Sequence, residues 1–146
     1  PQRPMNIRIE LSILSVKFRT LRDEAIYRHT SYRNTLRSNY YKDLGIQENL
    51  YIEARNILTL EIKRLHDAIL SGGNDHLQQE LESLKERRRL LASDFEGTRH
   101  MLKSKLKDSI AVSSLDESNE LTEIQSNYLH QRIAVLSNSQ MKGGGQ

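Results

Sequence analysis

Apolar residues recur along most of this chain at alternating steps of four and three residues, which is the spacing of one helix face in a coiled coil. The repeat continues on both sides of two adjacent glycines, Gly72 and Gly73. Two glycines inside a helix cost about 2 kcal/mol relative to alanine, but just past a helix end they can adopt a left-handed conformation. The pattern therefore predicts a helix that ends near Leu70, followed by a turn at Ser71–Asp75.

A second helix is predicted to begin immediately after this turn. Asp75 and Gln78 have the spacing of a capping box, in which the carboxylate accepts a hydrogen bond from the first helical turn and the glutamine reaches back. About five residues between two helices is the length that an antiparallel helical hairpin uses.

The hairpin can be tested by a pairing rule, because facing residues of a chain that reverses near residue 73 should have numbers that add to a constant. Ile69 with Leu77 and Tyr51 with Phe95 both add to 146. Both helices keep one seven-residue repeat, so a single matched pair forces the others. The predicted hairpin core consists of Leu44, Tyr51, Leu58, Ile62, Leu65, Ile69, Leu77, Leu81, Leu84, Leu91, Phe95 and Leu102. The same rule pairs Ala25 with Leu121, Phe18 with Tyr128 and Leu11 with Val135.

Asn6 is predicted to cap the first helix, whose helical pattern is weak at two places. The first place follows Ala25, where apolar residues no longer occupy the seam. The seam is the line of positions that faces the other helix. Residues 26–43 are therefore frayed, shifted in register or packed on something polar. Further on, Gly45 can end the helix, with Ile46 touching Tyr41, or can be crossed at a cost of about 1 kcal/mol.

The second helix also has a predicted boundary, because Ser114 and Glu117 are spaced as a capping box. If the chain bends at Gly45 and Ser113–Ser114, the result is a compact three- or four-helix bundle. The low apolar content favours the alternative, an all-α, elongated antiparallel hairpin that packs with further helices. The predicted domain is 6–141, with arms 6–70 and 75–141 joined by turn 71–75, between an N-terminal tail 1–5 and a flexible Gly-rich tail 142–146.

Composition agrees with long helices that each bury one stripe, since only 36% of residues are hydrophobic and 5% aromatic. The sequence contains neither a long apolar run nor a signal-peptide pattern, and it lacks cysteine. These features indicate an intracellular protein of the cytoplasm or nucleus. Because the sequence begins at Pro1 without methionine, we expect a fragment of a longer protein or a processed chain.

Catalytic chemistry finds no support in the sequence. The five histidines show no ligand spacing, and Gly72-Gly73 lacks the Lys-Ser/Thr of a phosphate loop. We therefore predict no catalytic residue, cofactor, metal or small-molecule substrate.

A second apolar stripe points away from the hairpin partner and indicates an interaction role. It consists of Ile46, Leu50, Ala54, Ile57 and Leu60. One partner helix cannot cover both stripes, so a further helix is the expected neighbour. We predict a scaffold subunit of a larger assembly that self-associates or binds partner helices through Ile9, Ile13, Val16, Leu50, Ile57 and Leu60.

The alternative function is nucleic-acid binding through residues 17–42, where seven Lys/Arg residues alternate with tyrosines. Its candidate contacts are Arg19, Arg22, Arg33 and Arg37. This alternative is not favoured, since a net charge of +3 does not require a nucleic-acid partner. The mixed polar and apolar faces also argue against a membrane surface.

Overall fold

The computed structural model describes the backbone of residues 2–144 and the side chains of residues 6–138. It contains two helices, α1 at Gln2–Leu70 and α2 at Asp75–Gly144, and no strand within the described residues. The helices pack against each other, which confirms the predicted all-α helical hairpin. The chain divides into two compact units. Unit 1 combines the residues up to Thr35 with those from Ser109 onward, and unit 2 is Leu36–Asp108.

The turn between the helices uses its two glycines for different reasons. Gly72 has a positive φ of 138°, a conformation that residues with a Cβ rarely adopt. Gly73 donates a 2.8 Å hydrogen bond from its backbone N to the carbonyl of Ile69. A Cβ at Gly73 would collide with the Cα of Ile69 and lie 2.9 Å from its Cβ. The turn therefore requires glycine at both positions.

The start of α2 corrects the predicted cap. Asn74, not Asp75, is the N-cap, because its Oδ1 accepts a 3.0 Å hydrogen bond from the backbone N–H of Leu77. Asp75 is the first helical residue, where its negative charge interacts favourably with the positive end of the helix dipole. Gln78 donates to Glu82 at 3.3 Å instead of reaching back toward the cap.

The core of unit 2 follows the pairing rule. Tyr51 and Phe95 stack with ring centroids 4.6 Å apart and planes 5° from parallel. Nearer the turn, the most buried side chains are Ile62, Leu81 and Leu84, and they pack with Leu58, Leu65 and Ile69. Leu44, Leu77, Leu91 and Leu102 are partly buried. Stacked aromatic rings and interdigitated leucines hold the two helices in this register.

Facing residues of unit 1 also follow the pairing rule. Phe18 and Tyr128 stack with centroids 4.6 Å apart and planes inclined by 23°. Ala25 is completely buried, at a seam position between Phe18 and His29. The numbers of Phe18 and Tyr128 again add to 146, as the pairing rule requires.

Both interior positions proposed as helix ends lie inside continuous helices. α1 runs through Gly45, and α2 runs through Ser113–Ser114, so the predicted boundary there is wrong. Ser113 is only 3% exposed and packs toward α1, where the hydroxyl lies 3.5 Å from Nη1 of Arg33. It is a seam residue and not a loop residue. Neither of the helix ends on which the alternative three- or four-helix bundle depends is therefore present.

The outer ends of both helices extend further than the sequence pattern indicates. α1 begins at Gln2, so the predicted cap at Asn6 is wrong, and Pro4 lies in the first turn, where proline is tolerated because its missing N–H has no helical partner. α2 continues to Gly144, three residues beyond the predicted end of the second arm at residue 141. Pro1, Gly145 and Gln146 lie outside the described residues.

Candidate interaction surfaces

The predicted N-terminal contact residues lie on the outer face of α1 in unit 1. Ile9, Ile13 and Val16 are each more than half exposed, at steps of four and three residues. Neighbouring Leu11 and Leu14 are partly buried in the seam. The stripe therefore uses a helix face that α2 leaves uncovered.

The predicted contact residues of unit 2 are exposed to a similar extent. Leu50 and Ile57 are each 55% exposed and Leu60 is 50% exposed. Ile46, on the same stripe, is 49% exposed, whereas Ala54 is partly buried. Four large aliphatic side chains on one helix face are more than the scattered apolar residues of an ordinary soluble surface.

In unit 2 this stripe borders a groove between the two helices. Ile57 forms one wall and Leu90 of α2 the other, while Ala54, Leu58 and Leu91 also line it. Three charged residues complete the lining: Glu61, Arg87 and Asp94. The groove combines an apolar centre with a charged rim, which is the usual composition of a protein interface.

Sequence reasoning missed Leu90 as part of this surface. Leu90 is 46% exposed and lies beside the seam residue Leu91. Leu90 directly precedes a seam residue, and the pairing rule places it at about the same level as Ile57. The heptad register alone therefore indicates its position. A further exposed stripe on α2 consists of Leu129, Ile133 and Leu136 in unit 1.

Polar residues replace the apolar seam in part of unit 1. The partly buried positions of α1 continue from Ala25 to His29 and Arg33 in steps of four, so the helix is shifted in register and is not frayed. Arg33 Nη1 lies 2.7 Å from Glu117 Oε2, and both side chains are only about 15% exposed. This ion pair occupies the space that a pair of leucines fills elsewhere along the seam.

Glu120 links two α1 residues beside that ion pair. Arg28 donates two 2.9 Å hydrogen bonds to the carboxylate, one to each oxygen. His29 Nε2 lies 2.9 Å from Oε1 of the same carboxylate. Arg28 and then His29, through these hydrogen bonds, lower the pKa of Glu120 to about 2. Glu120 in turn raises the pKa of Arg28.

The candidate nucleic-acid contacts all have interactions within the chain. Arg33 points into the seam and binds Glu117 and Ser113. Arg22 lies 3.7 Å from Asp23, and Arg19 donates a 3.4 Å hydrogen bond to Ser15. Arg37 also has an interaction partner. These arginines are engaged within the chain, which weakens the nucleic-acid hypothesis.

Residues 6–138 contain no group of three or more His, Asp or Glu side chains arranged to hold a metal ion. Within the described chain, neither helix carries an apolar stretch of the length that crossing a membrane requires. No protein-family model, curated protein or solved structure matches the chain at a significant level.

Proposed function

We propose that this protein is a non-enzymatic interaction subunit of a larger protein assembly, which binds helices through the apolar residues that its own hairpin leaves exposed. The observation that carries this proposal is the stripe of Leu50, Ile57 and Leu60, each at least half exposed in the folded chain. Covering the exposed half of one such side chain contributes about 1 kcal/mol. Covering several of them together with the apolar side chains of a partner helix therefore favours association.

The helical hairpin suits this role because it spaces the exposed side chains regularly. One helix face carries the regularly spaced apolar residues against which a partner helix can pack. These residues are Ile46, Leu50, Ala54, Ile57 and Leu60. The second exposed stripe, Ile9, Ile13 and Val16, has the same spacing in unit 1. Each stripe is a separate docking surface for a helix of the assembly.

The proposal is tested by comparing the native size of the protein with that of a stripe variant in an extract of its source. The variant carries Leu50→Glu, Ile57→Glu and Leu60→Glu. We expect the unaltered protein to elute in a complex larger than itself, and the variant to elute alone with unchanged helicity. A control matched in charge replaces the exposed polar residues Gln47, Asn49 and Asn56 by glutamate and should remain in the complex. A protein that elutes alone in both forms contradicts the proposal.

Nucleic-acid binding is the weaker candidate. Its residues carry internal partners, most clearly Arg33, whose side chain is 15% exposed and paired with Glu117. A side chain held in this way has to break its ion pair before it can contact a phosphate.

A further inference from the structure

The groove of unit 2 carries charges that the chain itself does not neutralise. Glu61, Arg87 and Asp94 line the groove beside the exposed Ile57 and Leu90. Among the described side chains, none of these three charged groups takes part in a hydrogen bond or an ion pair. Arg88 and Arg89, the two arginines that follow Arg87, contact Thr59 and Glu86 within the chain. The groove therefore offers charges of both signs to a partner that carries both signs.

The two charged residues on α2 flank Leu90, with Arg87 three residues before it and Asp94 four residues after it. Arg87 and Asp94 are separated by seven residues, which is two helical turns along one face, and Leu90 lies between them. A two-fold axis perpendicular to α2 at this point lays α2 antiparallel on a second α2. Arg87 of each copy then faces Asp94 of the other, which is the reciprocal pattern of an isologous interface.

The α1 wall of the groove fits the same axis. Ile57 lines the groove opposite Leu90, so both residues lie near the centre of symmetry. The two-fold brings together the Ile57 and Leu90 side chains of both copies, and these are 55% and 46% exposed in the single chain. An apolar centre flanked by two reciprocal ion pairs results, with four antiparallel helix segments around it.

We propose that the groove of unit 2 binds a second copy of this chain, related by a two-fold axis near Leu90, with Arg87 of each copy paired with Asp94 of the other. This inference rests on the proposed interaction function and names one partner of its unit 2 surface. The mixed charge of the rim supports self-association because a single copy provides both members of each pair.

Charge-reversal variants test the proposal by sedimentation velocity of the purified chain over micromolar to submillimolar concentrations. The unaltered chain forms a reversible dimer. Arg87→Asp places two aspartates opposite each other in both symmetric pairs, and Asp94→Arg places two arginines there, so each variant alone raises the dimer dissociation constant by about tenfold or more. An equimolar mixture of the two variants restores dimers, because each mixed pair again joins aspartate and arginine.

Lys103→Asp is the matched control, since it changes the net charge as Arg87→Asp does but lies outside the groove lining. It should dimerise as the unaltered chain does, and circular dichroism should show equal helicity for all variants. A purely monomeric unaltered chain overturns the proposal, and so does a dimer that persists in Arg87→Asp or a variant mixture that remains monomeric. In each of these outcomes the proposed function still stands if the chain elutes in a larger complex from its source extract.

Discussion

Arg33 Nη1 lies 2.7 Å from Glu117 Oε2 in the polar part of the unit 1 seam. Both side chains are about 15% exposed, so each charge has lost most of its water. Removing one member of such a pair leaves the other charge poorly solvated and unpaired, whereas removing both members avoids this cost. The two residues are therefore expected to be strongly coupled in their effect on stability.

We predict that Arg33→Leu and Glu117→Leu each lower the free energy of unfolding by about 2 kcal/mol. The double variant Arg33→Leu/Glu117→Leu should be close to the unaltered chain or more stable, because two leucines then fill the seam. Urea unfolding followed by circular dichroism measures all four proteins. Additive losses in the double variant would show that the pair is not coupled.

The sequence predicted this part of the seam incompletely, for a physical reason. Alternating steps of three and four residues beyond Ala25 lead to Arg28 and Tyr32, which are exposed, whereas His29 and Arg33 are the partly buried residues. Two successive steps of four residues cause the difference. Such a shift is visible in sequence only when the shifted positions are apolar, and here they are polar. Glu117, the partner of Arg33, is instead read from the sequence as part of a helix start, because Ser114 and Glu117 have the three-residue spacing of a capping box.

The hairpin itself was predictable because its signals agree with one another. The glycines at 72 and 73, the short turn and the matched heptads all require one reversal, and the stacking of Tyr51 on Phe95 has the predicted register. The α1 side of the groove was predicted, because its exposed residues form a stripe in the sequence. Leu90 was missed because a single exposed leucine on α2 forms no stripe of its own, and it becomes part of a surface only when α1 brings Ile57 beside it.

The turn glycines give a second prediction. Gly72→Ala forces a side chain into a backbone conformation with φ of 138°, and Gly73→Ala drives a Cβ into the backbone of Ile69. Each variant should lower the free energy of unfolding by about 1 to 3 kcal/mol, measured by urea titration. Ser71→Ala serves as the control, because it keeps the backbone geometry and removes only the 3.0 Å hydrogen bond from its hydroxyl to the Asp67 carbonyl. An unchanged midpoint for both glycine variants would contradict the turn geometry.

Gly45 is expected to respond in the opposite direction. It lies inside α1, and a Cβ built on it meets nothing within 4 Å. Gly45→Ala should therefore raise the free energy of unfolding by about 0.5 to 1 kcal/mol, because alanine has the higher helix propensity. Thermal unfolding followed by circular dichroism gives the sign directly. A loss of stability would show that this position needs the conformational freedom of glycine.

The acid sensitivity of the protein should depend in part on Glu120. Its pKa is lowered to about 2 by the hydrogen bonds from Arg28 and His29, below the ordinary value of about 4.5. Between these two pH values the unfolded chain binds more protons than the folded chain, so the contribution of Glu120 to stability is complete above about pH 5 and is lost as the pH falls toward 2. Glu120→Gln should lower stability at neutral pH and flatten its dependence on pH in this window. Urea unfolding at a series of pH values measures both effects.

Glu123→Gln is the control, because Glu123 is an exposed residue on the same helix. If this variant flattens the pH dependence of stability equally, the acid response is due to net charge and not to the contacts of Glu120.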